Sequence, residues 1–222
     1  MITLHYLEDS RAQRILWMLE ELDLSYEVKV YLRSKKTNLA DPALKEIHPL
    51  GRSPVLTDDD LTIAESGAII EYLGQTYGEG ALVPTHPDAL RDYRYWLHFA
   101  EGSMMPFLMV KKAFQVADSK VPKVMRPILM AIPRKLEQIY FGRANKDNIM
   151  FVERYLEGRE FFAGGILSGA DIMMSFPLEA ISSRMSGLKL DHIQAYVRRI
   201  HARPAYQRAL NAATIPYRYS SQ

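Results

Sequence analysis

The first eighty residues alternate between strand-like and helix-like patterns of apolar and polar side chains. Residues 2–6 and 26–30 alternate apolar with polar positions, which predicts two short strands. Between them, apolar residues recur every three or four positions after Ser10, which predicts an amphipathic helix that ends at Asp23. The chain therefore opens as a strand, a helix and a second strand.

The next segment is predicted to add a short helix, a pair of strands and a longer helix. The short helix covers residues 42–47, and the strands lie on either side of the acidic turn Asp58–Asp60. That turn is too short for a crossover connection, so the two strands are expected to be antiparallel. A helix over 66–77 completes the order β-α-β-α-β-β-α.

Strand patterns do not return after residue 79. Glycines and prolines mark residues 80–87 as a linker. Beyond it the pattern predicts helices over 88–117 with a bend near Gly102 and Pro106, over 122–157 with bends at Pro127 and Pro133, and from Ser168, Asp191 and Pro204, before an irregular tail over 215–219. The prediction is a small α/β domain over 1–79 and an all-helical domain over 88–222.

Composition narrows the possible functions. The formal charge of +2 includes no long basic run, which argues against nucleic acid or an anionic membrane as the main partner. No apolar segment approaches the roughly 20 residues that span a bilayer, and the N-terminus lacks a signal-peptide pattern, so the cytoplasm is the expected location. The chain has no cysteine, and its six histidines lack metal-binding spacing. We therefore predict no metal site, and any thiol chemistry must use the thiol of a ligand.

Residues 48–66 combine features that suit a short peptide ligand. The ring of Pro54 holds Ser53 extended, and the bond between them is of the type in which a cis peptide is accessible. Glu65 and Ser66 begin a helix, and the free N–H groups of a helix N-terminus favour an anion. We predict that this segment offers a backbone edge beside a pocket for a charged end.

A further motif in the second half is assigned a folding role. Ser168 and Asp171 have the spacing of a capping box, in which each side chain satisfies a backbone N–H of the other residue. Leu167 and Ile172 flank it in the positions of a hydrophobic staple.

With these motifs, the chain resembles the cytosolic glutathione transferases over its whole length. The motifs are His5-Tyr-Leu-Glu-Asp-Ser-Arg-Ala-Gln-Arg14, Ser53-Pro54 after His-Pro-x-Gly, Glu65-Ser66, and Leu167-Ser168-x-Ala170-Asp171. The Glu-Asp-Ser-Arg-Ala segment is most similar to a fungal and bacterial branch. The resemblance implies a thioredoxin-like N-terminal domain that binds glutathione, an all-helical domain with a hydrophobic co-substrate site, and a homodimer formed through the helices at Ser66 and Asp88.

The resemblance also assigns ligand contacts. Ser53, ahead of a cis Pro54, is expected to pair its backbone with the cysteinyl unit of glutathione, as an added strand does. Ser66 is expected to hold the γ-glutamyl carboxylate, with Glu65 near the amine. Arg52 is placed to meet the charged groups of the ligand. Lys45 is a candidate for the glycyl carboxylate.

Two hydroxyl groups are candidates for stabilising the glutathione thiolate. Ser10 lies where the first helix begins, and Tyr6 at the end of the first strand is the rival donor. Serine- and tyrosine-using branches place their hydroxyl at positions that here hold His5, Tyr6 and Leu7, so the match at Ser10 is imperfect. Ser10-x-x-Gln13 can also be a capping box, so a purely structural role stays open.

The co-substrate site is expected between the two domains. Its predicted hydrophobic lining comprises Leu7, Phe99, Met104, Met105 and Phe107, together with Met109, Tyr217 and Tyr219. The leading function is transfer of glutathione to small hydrophobic electrophiles. The alternatives are a glutathione-dependent peroxidase or isomerase and a non-catalytic glutathione-binding module.

Overall fold

The computed structural model describes residues 1–131, 135, 142–183 and 188–219. One four-stranded sheet has the order β2-β1-β3-β4, in which β1 is parallel to β2 and the other neighbours are antiparallel. The strands are β1 Ile2–Leu7, β2 Tyr26–Tyr31, β3 Val55–Asp58 and β4 Leu61–Ala64. The predicted β-α-β opening and the antiparallel pair around the acidic turn are confirmed.

The described helices follow the predicted order, with α1 to α3 packed between and after the strands. The bounds are α1 Ala12–Glu21, α2 Leu44–Ile47, α3 Ser66–Thr76, α4 Pro87–Phe99, α5 Met105–Lys120, α6 Arg126–Leu129, α7 Arg143–Tyr155, α8 Gly169–Ser182, α9 Asp191–His201 and α10 Pro204–Ala212. This arrangement confirms the α/β thioredoxin-like region followed by a mostly helical region.

The helix predicted over 88–117 is interrupted where the sequence placed a bend. A π-helical turn over Ala100–Met104 joins α4 to α5, and Pro106 lies in the first turn of α5. Proline is tolerated there because the first N–H groups of a helix have no partner within the helix. Such single π turns inside helices are frequent at functional sites.

The prediction of one helix over 122–157 is wrong in its extent. Among the described residues of this range, residues 122–125 precede the short α6 at Arg126–Leu129 without being helical, and α7 starts at Arg143. Pro127 lies in the first turn of α6, where its missing N–H does no harm, while the predicted bend at Pro133 falls outside the described residues.

The two regions share one continuous hydrophobic core. It includes Leu4 of the sheet, Trp17 of α1 and Ile70 of α3, together with Ile172 and Ile193 of the helical region. The linker contributes Leu82 to this core, and the carbonyl oxygen of Leu82 also accepts a 2.8 Å hydrogen bond from the backbone N–H of Gly169. The position of α1 relative to α8 is therefore fixed by packing on both sides.

A buried ionic cluster joins α1 to the π-helical turn. The Arg14 side chain is 0% exposed and pairs with Glu101, which also pairs with Arg11. Arg14 donates a second hydrogen bond of 2.7 Å to the carbonyl oxygen of Met173, and its guanidinium lies 5.7 Å from the Phe176 ring centre. One carboxylate thus bridges Arg14 of α1 and Arg11, the residue that immediately precedes α1.

The C-terminal tail is tied to both regions. Glu179 of α8 is buried and accepts 2.6 Å hydrogen bonds from the hydroxyl groups of Tyr206 and Tyr217. The guanidinium of Arg218 pairs with Asp9 in the turn after β1. These contacts hold the tail beside the beginning of α1.

The predicted capping box is present at the start of α8. Asp171 is fully buried, and its carboxylate accepts hydrogen bonds of 2.9 Å from the backbone N–H groups of Phe162 and Ser168 and from the Ser168 hydroxyl. The motif therefore holds the preceding loop as well as the helix start, as its folding role requires.

Asp171→Ala is expected to lower the free energy of unfolding by about 2 kcal/mol, because three buried donors lose their acceptor. Denaturant unfolding measures this change. Asp147→Asn, which alters a carboxylate on the surface of α7, is the control and should leave stability unchanged within error. An equal, small change in both variants would contradict the assigned folding role.

No helix in the described part of the chain is both long and apolar enough to cross a membrane. The same residues contain no group of three or more histidine, aspartate or glutamate side chains placed to hold a metal ion.

Candidate active site

Two adjoining cavities lie at the ends of the strands, and both are lined by Arg11 and Ser53. The first has a volume of about 210 Å³ and the second about 330 Å³. The first is built mainly from the segment predicted to bind a peptide: His48, Leu50, Arg52, Ser53, Pro54, Ala64, Glu65 and Ser66, with Arg11 from the start of α1.

The second cavity lies between the α/β region and the helical region. The α/β side contributes the turn before α1 and the loop after β2, and the helical side contributes α5, α8 and the tail. Its lining residues are Asp9, Ser10, Arg11, Arg33, Asn38, Ser53, Met105, Leu108, Met109, Lys112, Phe176, Ala180, Arg218 and Tyr219.

Ser53 connects the ends of two strands at the boundary of the cavities. Its hydroxyl donates a 2.9 Å hydrogen bond to the carbonyl oxygen of His5 and accepts a 3.1 Å bond from the N–H of Leu7. The peptide bond between Ser53 and Pro54 is cis, as predicted. The Ser53 proton is therefore already used within the protein.

Ser10 lies next to Ser53 in the turn before α1, which begins two residues later than predicted. The Ser10 hydroxyl oxygen accepts a 3.1 Å hydrogen bond from the N–H of Ala12, and the oxygens of Ser10 and Ser53 are 3.4 Å apart. Because Ser53 gives its own proton to His5, this long contact is the only acceptor for the Ser10 proton among the residues that the structure describes. It remains free to donate to a ligand.

The predicted capping box at Ser10-x-x-Gln13 does not form. Gln13 is buried, and its amide oxygen accepts a 3.0 Å hydrogen bond from the Tyr6 hydroxyl. The Ser10 hydroxyl does hold a backbone N–H of the helix start, so a capping contribution persists without Gln13.

Tyr6 is not brought to either cavity. Its side chain is fully buried on the same face of β1 as Leu4, since alternate residues of a strand share a face. Burial raises the pKa of its phenol well above the usual value. The alternation of Ile2, Leu4 and Tyr6 in the sequence already carries this signal. The geometry favours Ser10 over Tyr6 as the thiol partner.

Glu65 and Ser66 both line the first cavity. Glu65 has φ +74° and ψ 123°, a conformation that a non-glycine residue rarely adopts and that is found most often at binding sites. Ser66 is 3% exposed and is the first residue of α3. The helix N-terminus and the serine hydroxyl thus face the same cavity.

The other two predicted anchors differ in position. Arg52 lines the first cavity. Lys45 is exposed on α2 and does not line either cavity, because its aliphatic chain packs against Gly51 in the turn before Arg52.

The chain is similar to known proteins over most of its length. Residues 1–75 match the family model for the glutathione S-transferase N-terminal domain. Glutathione S-transferase 3 of Schizosaccharomyces pombe is 35% identical over 92% of this chain and 85% of its own length. Glutathione S-transferase 1 of Saccharomyces cerevisiae is 35% identical over 93% and 92%.

The chain belongs to the glutathione transferase family. A crystal structure of a glutathione S-transferase from Actinobacillus pleuropneumoniae has a TM-score of 0.82 and 33% identity, covering 100% of this chain and 97% of its own. A theta class glutathione S-transferase from Xanthomonas axonopodis pv. citri, solved with glutathione bound, has a TM-score of 0.72 over 96% and 99%. At 23% identity that second likeness shows the fold alone.

The structure brings one of the five residues predicted to line the hydrophobic site, Met105, to the second cavity of this glutathione transferase. Leu7 packs with Tyr31 and Leu44, while Met104 is fully buried in the main core. The remaining two residues also lie outside the cavity lining. Phe99 contacts the rings of Tyr95, Trp96 and Phe151. Phe107 is half-buried on α5.

The wider list of candidates is divided by the structure. Met109 and Tyr219 line the second cavity, and Tyr217 donates to Glu179 beneath the tail. Helical periodicity identifies apolar side chains but does not determine which face of α5 meets solvent in a cleft.

Sequence reasoning missed Arg11 as a site residue of this glutathione transferase. Arg11 follows Ser10, lines both cavities and is held by Glu101 of the π-helical turn. Its position next to the candidate hydroxyl was available in the sequence. Its orientation depends on Glu101, which lies 90 residues away in the chain.

Proposed function

We propose that this glutathione transferase binds glutathione in the first cavity and directs its thiolate toward an electrophile in the second. The observation that carries the proposal is the pair Ser10 and Ser53 where the cavities adjoin. The Ser53 proton is used by His5, so the Ser10 hydroxyl has the proton available for a sulfur placed between the cavities.

The mechanism needs a thiolate near neutral pH. A free thiol has a pKa of about 8.5, and a hydrogen-bond donor, a nearby cation and a helix N-terminus each favour the charged form. Ser10 supplies the donor, Arg11 supplies a cation, and the start of α1 supplies backbone dipoles. The thiol proton passes to solvent on binding. The thiolate then attacks the electrophilic carbon, and the leaving group departs with the bonding electrons.

The anchor for the peptide is proposed from the lining of the first cavity. The N–H groups and hydroxyl at Ser66 hold the γ-glutamyl carboxylate, and Glu65 holds its amine. The extended segment before β3 pairs with the cysteinyl backbone at Ser53. Arg52 meets a ligand carboxylate, while Lys45 reaches one only if its side chain swings from Gly51.

Two measurements together test this function. Turnover of glutathione with a chlorodinitrobenzene-type electrophile is expected, and absorbance of the bound thiolate should give a thiol pKa at least about one unit below the free value. A bound thiol with an ordinary pKa and no turnover would instead identify a glutathione-binding module.

Ser66→Ala is expected to raise the Kd of glutathione about tenfold, because one hydrogen bond to a carboxylate is lost while the backbone N–H remains. At saturating glutathione, kcat should change little. Calorimetric titration measures the affinity. Ser119→Ala, which removes an exposed hydroxyl on α5, is the control. An unchanged Kd for Ser66→Ala would show that the γ-glutamyl carboxylate binds at another position.

We also propose a homodimer formed through α3 and α4, acting in the cytoplasm. The support is membership of the family, and both statements stay predictions. Light scattering at micromolar concentration should give twice the chain mass of 25.5 kDa, and a monomeric mass would contradict the dimer.

A further inference from the structure

The second cavity has two walls of opposite character. The wall from α5 and α8 is mainly apolar: it presents Met105, Leu108, Met109, Phe176 and Ala180, with Lys112 of α5 as its charged residue. The facing wall comes from the turn before α1, the loop after β2 and the tail, and it presents three arginines, Arg11, Arg33 and Arg218, with Asp9 as the lone acidic residue of the lining.

Two of these arginines have carboxylate partners, and the third does not. Arg11 pairs with Glu101 and Arg218 pairs with Asp9. The guanidinium of Arg33 forms no ion pair with a carboxylate of the described residues, since its bonds go to carbonyl oxygens. Its Nε donates to Glu8 at 3.0 Å and its Nη1 donates to Asn38 at 3.3 Å.

The nearby Glu8 does not neutralise Arg33 by a direct contact with the guanidinium. The Glu8 carboxylate accepts the backbone N–H of Arg33 at 3.1 Å instead. An arginine has five N–H donors in a planar fork, so donors remain after the two carbonyl bonds. These bonds orient the guanidinium at the cavity wall and leave its charge without a carboxylate partner in the described part of the chain.

We propose that the electrophile of this transferase is an amphipathic anion. Its aromatic or aliphatic body lies against the α5 and α8 wall, and its carboxylate or sulfonate pairs with Arg33. The two walls line one cavity of about 330 Å³, so one small molecule can contact both. A planar guanidinium favours such anions because it can donate two parallel hydrogen bonds. The role of this anion as a substrate rests on the proposed function, whereas its binding does not.

The test compares two fluorescent ligands that differ by one sulfonate, 8-anilinonaphthalene-1-sulfonate and N-phenyl-1-naphthylamine, without glutathione. Arg33→Gln is expected to raise the Kd of the sulfonate ligand about tenfold, which is the factor for one lost charge-assisted hydrogen bond. The Kd of the neutral ligand should rise less than twofold. Arg33→Lys keeps the charge and should restore part of the sulfonate affinity. Arg143→Gln, an arginine on the surface of α7, is the matched control and should alter neither.

Several results would overturn the proposal. Equal weakening of both ligands by Arg33→Gln, without recovery in Arg33→Lys, would make Arg33 an anchor of its loop only. Unchanged binding of both ligands would place the anion elsewhere. A matching loss of glutathione affinity in Arg33→Gln would assign Arg33 to the peptide site.

A turnover comparison separates this inference from the proposed function. The substrates are 4-chloro-3,5-dinitrobenzoate and its methyl ester, and Arg33→Gln should lower the ratio of their kcat/KM values about tenfold in favour of the ester. Failure of both substrates with intact sulfonate selectivity would reject the proposed reaction and keep the anion site. Turnover of both substrates with an unchanged ratio would reject the anion site and keep the proposed reaction.

Discussion

Ser10→Ala is expected to lower kcat for glutathione transfer by about tenfold to a hundredfold while changing the Kd of glutathione far less. The range is the value of one hydrogen bond to a charged atom, about 1.5–3 kcal/mol. The same loss should raise the pKa of the bound thiol by one to two units, at about 1.4 kcal/mol per unit. Stopped-flow turnover and thiolate absorbance measure the two effects.

Two further variants test the assignment. Ser10→Thr retains a hydroxyl and should keep much of the activity. Tyr6→Phe removes only the buried bond to Gln13 and should leave the thiol pKa near that of the unmodified protein. Equal losses of affinity and turnover in Ser10→Ala would restrict Ser10 to holding the N–H of Ala12.

Glu101→Gln is expected to lower the free energy of unfolding by about 3 kcal/mol. The Arg14 side chain is 0% exposed, and Glu101 is its carboxylate partner. Removal of one partner from a buried pair leaves an uncompensated charge, which costs about 3–5 kcal/mol. We place the effect at the lower end because Glu101 is 29% exposed and Arg14 keeps its bond to Met173. Denaturant unfolding of the full chain measures the loss.

The double variant with Arg14→Met and Glu101→Gln separates charge from packing. It carries no unpaired buried charge, so it should be more stable than Glu101→Gln alone. A double variant as unstable as the single one would attribute the loss to packing. Asp147→Asn, which breaks an exposed pair with Arg143 on α7, should produce no resolvable change.

The first cavity, the proposed glutathione anchor, could be predicted in outline because its signals are local. A proline constrains the residue before it, and a helix N-terminus exposes N–H groups whatever surrounds it. Ser53, Pro54, Glu65 and Ser66 therefore line the predicted cavity. Lys45 departs from the prediction because its side-chain direction depends on the turn at Gly51.

The co-substrate cavity could not be predicted to the same degree, as α5 illustrates. Met104 and Met105 are adjacent and equally apolar, yet Met104 is in the core and Met105 lines the cavity. Successive helical residues are separated by about 100°, so only packing against neighbouring helices decides which of the two faces the cavity. The π-helical turn at Ala100–Met104 further shifts the register of the face.

The sequence by itself determined the order of the strands, most of the helices and the turn chemistry, because these follow from backbone constraints within a few residues. Only the tertiary structure decided that Tyr6 is buried, that Ser10 has the available proton, and that Arg33 and Arg218 face an apolar wall. These properties depend on contacts between residues that are distant in the chain, as Arg218 with Asp9 shows. Hydrophobic periodicity cannot encode such contacts, because it records polarity along the chain and carries no information about the partner.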